Sequence, residues 1–298
     1  MKKSKGFIAL DILYILMMII PFVVGMVIKI LTKGPSEGIS ITGAQVYFDI
    51  PFPVQNLIIT ESQINSWLVM ISIAGLCLFL THGLDVKGTL KRQHMAEWAV
   101  EITQKLTVSN MGERFKGFAP FITGILVLSA FSSLITLMGL YPPTSDINVT
   151  GGWAILVFIL ITYYKMKAGP VVYIKSFANP IAMAPLNIIG EIATPVSMAF
   201  RHYGNVISGS VISVLIATGL QGLTKLILGF LPGFLGQFPF LQIGLPAILS
   251  LYFDIFSGCL QAYIFAMLTM LYVAGGFPED EYELRKAKKI KIKANGGN

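Results

Sequence analysis

Six apolar stretches, at about 7–31, 62–82, 118–141, 152–168, 181–231 and 241–276, follow one another along this chain. Each approaches or exceeds the roughly 20 residues that an α-helix needs to cross a bilayer. A segment in hydrocarbon must satisfy its own backbone N–H and C=O groups, which it does as a helix. Hydrophobic residues make up 54% of the 298 and charged residues 12%, with a mean hydropathy of +0.72, a balance that no soluble domain of this size needs. The expected fold is all-α: a single polytopic membrane domain over residues 1–298 with about six membrane helices.

A net charge of +7 would point to nucleic acid only if the positions of the charges were ignored. Most of the cations lie in flanks and connections: Lys2, Lys3 and Lys5; Lys87, Lys91, Arg92, Lys105, Arg114 and Lys116 within 83–117; Lys165, Lys167 and Lys175; and the tail RKAKKIKIK at 285–293. The stretch 32–61 holds only Lys33, and 142–151 and 232–240 hold none. The positive-inside rule therefore assigns both termini, 83–117 and 165–175 to the cytoplasmic side. Six crossings satisfy every assignment, giving a multi-pass protein of the cell's inner membrane with a basic cytoplasmic tail at 278–298 and no nucleic-acid partner.

The opening MKKSKG followed by 7–31 looks like a secretory signal, but its apolar region is too long and no small-residue cleavage site follows. It is read as a retained first helix, in which Asp11 has no evident reason. Within 94–108, Met95, Trp98, Ile102 and Leu106 share one helical side while Glu97, Glu101 and Lys105 lie on the other. That pattern predicts an amphipathic helix on the cytoplasmic membrane surface, in contact with lipid; a packed soluble hairpin is the alternative.

The fifth stretch is too long for an upright span. Some fifty helical residues would measure roughly 75 Å against a hydrocarbon core of ~30 Å. It either breaks, with Pro185, Gly190 and Pro195 as kinks, or slants strongly. With LPGFLGQFP at 231–239 as the turn, 181–231 and 241–276 are expected to form a hairpin of two long, tilted helices.

Arg201 stands inside that stretch. A permanent cation at membrane depth is costly and faces water or an anion, and arginine cannot shed its proton to escape the cost. Steps of three and four from Glu191 reach Thr194, Met198, Arg201, Asn205 and Ser208; on the last stretch Asp254, Ser257, Gly258 and Gln261 obey the same rule. Two polar faces in lipid are expected to turn toward the same place, although each polar side chain could instead bond a neighbouring backbone group. Asp254 could pair with Arg201 internally, or the anion could belong to another chain. Cys77 and Cys259 lie in apolar segments without metal-ligand spacing and read as small buried hydrophobes. His82, His94 and His202 have no ligand spacing either, and no phosphate loop, dinucleotide fingerprint or HExxH occurs, so neither metal nor cofactor is expected.

RHYGNVISGSVISVLIATGL (201–220) resembles the signature of subunit a of the F-type ATP synthase: an arginine, a Gly-Asn pair three and four residues on, then a run of small residues. LQAYIFAMLTMLYV (260–273) resembles that family's closing signature, with Gln261 as its glutamine; PPTSDINVT (142–150) and the APF motif (119–121) resemble its middle loop and the helix start before it. The likeness is good over about 118–275, weaker over 62–117 and absent for the first helix. His202 stands where the family usually has an apolar residue, Ser210 where glutamate or histidine is frequent, and Asp254 where histidine or glutamate is common.

The resemblance implies the stationary half of a rotary motor, not an enzyme on its own, that translocates an ion, expected to be the proton. It implies a ring of c subunits as partner, with b-type peripheral-stalk subunits and the other synthase subunits besides. Two half-channels would meet the ring on either side of Arg201, along Asn205, Gln261, Asp254, Glu191, Ser210 and His202. The alternative is a stand-alone secondary transporter or channel in which Arg201 binds an anionic substrate; the internal repeats frequent in such proteins are not evident in this sequence.

Overall fold

The computed structural model describes residues 5–32, 43–53, 56–85, 91–177, 183–228 and 251–280, with 244, 248–249, 282–284 and 287 besides. Its elements are α1 (Lys5–Thr32), the strands β1 (Val46–Ile50) and β2 (Leu57–Thr60), α2 (Glu61–Thr81), α3 (Lys91–Met111), α4 (Ala119–Leu134), α5 (Ile147–Lys165), α6 (Pro170–Phe177), α7 (Ala184–Leu228) and α8 (Gly258–Gly275). Among the described residues, six helical stretches are long and apolar enough to cross a membrane: α1, α2, α4 with its flanking 3-10 turns, α5, α7, and α8 with the turns before it. The protein is an all-α, polytopic membrane protein.

The burial pattern is that of a chain solvated by lipid. Ile12, Leu13, Ile19, Ile155, Ile159, Leu186, Ile192, Leu215 and Leu260 all face outward, whereas small polar side chains such as Ser72, Ser129, Ser132 and Ser133 lie inside. In hydrocarbon, apolar burial drives little helix association, and small residues that let backbones approach take over that role. The α1–α2 crossing uses this device: a Cβ at Gly75 would lie 2.9 Å from the backbone nitrogen of Met18, and Ser72 Oγ donates to the Met18 carbonyl at 2.8 Å. A core of Met111, Phe115, Ile122, Val157, Met198, Phe265 and Met270 joins α3, α4, α5, α7 and α8.

Asp11, unexplained by sequence, holds the basic end of α1. Its Oδ1 lies 2.9 Å from His82 Nδ1 and 2.5 Å from Arg92 Nη1. Arg92 also donates to the His82 carbonyl and lies over the rings of Phe7 and Phe79. At the opposite end Lys29 Nζ donates to the Gly139 carbonyl at 2.6 Å and lies 3.3 Å from buried Glu61. The added helix is thus pinned at both ends.

Three expectations change. Cys77 and Cys259, read as small buried hydrophobes, are both exposed. The stretch 32–61 contains an antiparallel hairpin, β1 on β2, that the all-helical reading did not foresee. The turn expected at 165–175 carries the short helix α6. Of the two alternatives for the fifth stretch, a break at Pro185, Gly190 or Pro195 is not found: α7 is one helix of 45 residues with Pro195 inside it. At about 1.5 Å per residue that helix is about 68 Å long, so tilt is the remaining way to fit it to a ~30 Å core. The return turn at 231–239 lies outside the described residues.

Helix α3 spans the predicted amphipathic segment and overshoots it at both ends. Met95, Trp98 and Ile102 are exposed, while Leu106 packs on the core. Glu101 forms a 2.6 Å ion pair with Lys105 one turn on, and the hydrogen bond from that lysine holds its carboxyl below the usual carboxylate range. The exposed apolar ridge beside a charged one is the pattern of a helix lying along a membrane surface.

Candidate functional site

Helix α7 carries most of the polar residues singled out in the sequence, and its two sides treat them differently. Arg201, Ser208 and Ser210 are exposed; His202 and Gly209 are buried; Asn205 is half-buried. Consecutive residues on a helix point about 100° apart, so Arg201 and His202 face different surroundings. Among the described residues, no hydrogen bond or ion pair engages the Arg201 guanidinium. Gly190, Ser197, Gly204, Ser208, Gly219 and Gly222 share its side of the helix. A Cβ at any of those four glycines would meet nothing within 4 Å. Ile212 and Leu215 share this side farther along the helix, and Phe200 flanks it; all three are exposed.

The buried side of α7 packs against α4, α5 and α8. His202 is fully buried, its Nε2 3.1 Å from Ser129 Oγ on α4. Trp153 and Phe265 stand edge-on to its ring at 5.7 and 5.5 Å. Among the described residues, His202 Nδ1, Ser132 Oγ and Thr144 Oγ1 are buried without a hydrogen-bond partner. Buried polar atoms of this kind are ordinarily satisfied by internal water.

Three residues beyond His202 the two polar stripes meet. Ser257 Oγ donates to Asn205 Oδ1 at 2.9 Å, and Asn205 Nδ2 reaches the Ser257 carbonyl at 3.5 Å. The approach is close because glycine stands at this contact, and a second glycine stands where α8 meets α4. A Cβ at Gly209 would lie 3.0 Å from the Phe253 ring, and one at Gly258 would lie 2.6 Å from Ser133 Cβ. Gln261, one turn into α8, is buried. Asp254 is half-buried and sits in π-helical turns, Leu251–Ser257, that lead into α8. Their i→i+5 bonding widens the helix, so Asp254 does not keep the α-helical register with Ser257 and Gln261 on which the sequence reading relied.

Glu191 lies elsewhere. Lys165 Nζ donates to both its carboxylate oxygens at 2.8 and 2.6 Å, and Tyr173 OH adds a 3.2 Å bond. The group borders a cavity of about 220 Å³ with Thr194, Leu271 and Gly275 at the basic end of the bundle. No ion pair joins Arg201 to Asp254 or to Glu191. The structure therefore brings Asn205, Ser257 and Gly258 together, keeps His202 and Gln261 buried nearby, leaves Arg201 and Ser210 outward, and separates Glu191.

A second polar cluster, at the opposite end, was not singled out in the sequence. Ser62 Oγ donates to Asp146 Oδ2 at 2.5 Å, and Asn65 Nδ2 to the Tyr141 carbonyl at 2.8 Å. Asp146 also caps α5 by accepting from Asn148 N. Burial first, then the nearby Asp146, Tyr203 and Glu61, raises the pKa of the Tyr141 phenol. That proximity links the cluster to α7 one residue from His202. The available signal was polar residues recurring every three or four positions, Ser62, Asn65 and Ser72 on α2 and Ser129, Ser132 and Ser133 on α4, within otherwise apolar helices.

Fold and site together define a multi-pass helical membrane protein whose last helices enclose a polar seam, with one cation turned outward beside it. Comparison with known families makes this particular. The family described as ATP synthase A chain matches residues 63–274, and this chain belongs to it. It is 30% identical over 218 residues to ATP synthase subunit a of Desulforamulus reducens, covering 72% of this chain and 78% of that protein. It is 28% identical over 233 residues to ATP synthase subunit a of Legionella pneumophila, covering 77% and 92%. It is 29% identical over 216 residues to ATP synthase subunit a 1 of Chlorobaculum tepidum, covering 71% and 87%. Helix α1 and the β hairpin precede the matched residues.

Proposed function

We propose that this protein is the ion-translocating stator subunit of a rotary F-type ATP synthase, carrying protons between two half-channels set against a ring of c subunits, with Arg201 dividing them. One observation carries the proposal: at membrane depth Arg201 turns outward from the chain, and its nearest neighbours on that side, Ser197, Gly204 and Ser208, are small enough to let another helix approach. A carboxylate on the ring that reaches the guanidinium would be held as an anion and release its proton, since a nearby cation favours the charged form. The same fixed charge would repel a proton running directly between the half-channels. Each charge moved through the potential releases about 2.3 kcal/mol per 100 mV, and repetition around the ring would drive ATP synthesis elsewhere in the complex.

On this reading the half-channel from the side opposite the basic end runs past Asp146 and Tyr141 to His202, Asn205, Asp254 and Gln261. The partnerless buried atoms of Thr144, Ser132 and His202 support a file of water there. The other opens past Glu191 and Lys165 at the cytoplasmic side, where the cations of the connections and the C-terminal tail lie. Ser210 is also exposed but lies about half a turn around α7 from Arg201, so on this reading it borders lipid or another part of the complex rather than the ring face of Arg201. The ring and the b-type stalk subunits are the partners, and the cell membrane the location. A self-contained transporter would need Arg201 inside an enclosed pocket, not on the outer face.

Arg201→Ala is the test. The variant is expected to assemble with the rest of the synthase and to lose proton-driven ATP synthesis in membrane vesicles. Arg201→Lys should recover little, because a desolvated lysine deprotonates. Normal ATP synthesis by an assembled Arg201→Ala complex would overturn the proposal.

A further inference from the structure

At the basic end of the bundle, away from the polar seam, a cavity of about 430 Å³ opens between the 3-10 turn Glu113–Phe118, the end of α5 and the segment after α8. Three membrane spans begin or end around it: Glu113–Met138 starts there, and Ile147–Lys165 and Leu251–Gly275 finish there. It therefore lies at the level of lipid headgroups. Its walls combine two cations, Arg114 and Lys167, with Phe115, Phe118, Tyr164 and Tyr282.

The cations are held without being used up. Lys167 Nζ lies 4.6 Å from the Tyr164 ring centre and 5.3 Å from that of Tyr163, and among the described residues no carboxylate pairs with it. Arg114 stacks on Phe277 and Tyr282 at 5.0 and 5.4 Å. Its ion pairs with Glu283 at 2.7 Å and Glu279 at 3.4 Å both fall on Nη2. A guanidinium has five donors in a planar fork, so Nε and Nη1 remain to meet a further anion. The sequence then continues into RKAKKIKIK, with six cations in nine residues. Basic clusters on the cytoplasmic side of a membrane helix attract anionic lipid, and basic pockets between helices there take phosphate headgroups.

We propose that this cavity binds the phosphodiester headgroup of an anionic phospholipid. Lys167 and the free edge of Arg114 meet the phosphate, Tyr282 stands at the rim, and Phe118 and Tyr164 line the way for the glycerol and first methylenes. Glu283 competes with the phosphate for Arg114. The site is independent of the path around Arg201, so either proposal can fail without the other.

The test uses the intact complex in its membrane and a photoactivatable phosphatidylglycerol, with the labelled peptides identified by mass spectrometry. Labelling is expected on the peptides containing Tyr164–Lys167 and Phe277–Tyr282. Excess unlabelled phosphatidylglycerol should compete; phosphatidylcholine and inorganic phosphate should not. Lys167→Gln should lower labelling about fivefold, the equivalent of about 1 kcal/mol for one cation near the membrane surface. Glu283→Gln should raise it. The opposite signs of these two variants separate a headgroup site from a general loss of packing, which would lower both. Equal labelling by a phosphatidylcholine probe, competition by inorganic phosphate, or labelling unchanged by Lys167→Gln would each overturn the proposal.

Discussion

The contact between Gly258 and Ser133 sets the spacing of α4 and α8, and Gly258→Ala tests what depends on it. The added Cβ would lie 2.6 Å from Ser133 Cβ and 3.1 Å from its Oγ. Two carbons rest at about 3.5–4.0 Å, so the helices must part by about 1 Å, and a Cβ cannot rotate out of the way. Overpacking of this kind costs about 1–3 kcal/mol. The shift also strains the neighbouring bond from Ser257 Oγ to Asn205 Oδ1, now 2.9 Å. A hydrogen bond between membrane helices contributes about 0.6 kcal/mol on average and about 1.7 at most. The expected total is about 2–4 kcal/mol, a factor of roughly 30 to 1,000 in the equilibrium between packed and parted helices.

The assay is heat resistance of the solubilised complex, read as the fraction still assembled after heating, with proton pumping in vesicles alongside. Gly258→Ala should lower both. Adding Ser133→Gly removes the opposing Cβ and should restore most of the loss, since the contact then again holds a single Cβ, now on α8 instead of α4. Ser133→Gly alone should cost little, because Ser133 Oγ bonds only its own helix at Ser129. Native stability for Gly258→Ala, or no recovery in the double variant, would refute this account of the packing.

The Asn205–Ser257 pair should show coupling in a double-mutant cycle: Asn205→Ala and Ser257→Ala together should cost about 0.6–1.7 kcal/mol less than the sum of the two alone, measured by the same heating assay. Additive losses would mean that the bond contributes nothing. Asp11→Asn should loosen α1, because it leaves the Arg92 guanidinium, with a side chain only 10% exposed, facing no full anion; breaking such a pair costs about 3–5 kcal/mol. Cysteines at Met18 and Ser72, whose backbone and side chain now touch, should then cross-link less readily, and unchanged cross-linking would count against the clamp.

Most of the fold was legible because lipid imposes a simple rule. Apolar length gave α1, α2, α4, α5 and α7 to within a few residues at most ends. The β hairpin was hidden because Val46–Ile50 and Leu57–Thr60 are short and their register is irregular between Val46 and Phe48. Pro195 misled because a proline in a long helix signals a break, yet α7 carries it without one. Of the site, the meeting of the two polar stripes could be foreseen from spacing, but the π turns that shift Asp254 could not, since they leave the residue pattern unchanged. Glu191 shared the stripe with Arg201 in projection. Its partner, Lys165, is 26 positions earlier, a distance that no local pattern carries.

Where the Arg201 counter-charge comes from can be narrowed by elimination. Glu191 is ten residues away on the same helix, about 15 Å along its axis, and its carboxylate is held by Lys165. Asp254 sits half-buried in the π turns that lead into α8, and no ion pair joins it to Arg201. Arg201 is about 26 Å along the helix from Ala184 and about 40 Å from Leu228, so its side chain reaches headgroup phosphates poorly if α7 slants through the bilayer. Hydrocarbon supplies no anion and little water, and arginine cannot neutralise itself. The proposed stator reading supplies the missing charge as an acidic group brought to membrane depth by another chain. The open glycines on either side of Arg201 let a helix come close enough to present one. A fixed internal acid would have neutralised the cation permanently. A counter-charge that arrives and leaves with a moving partner instead lets the same arginine act on each carboxylate in turn, which is what the proposed stator requires.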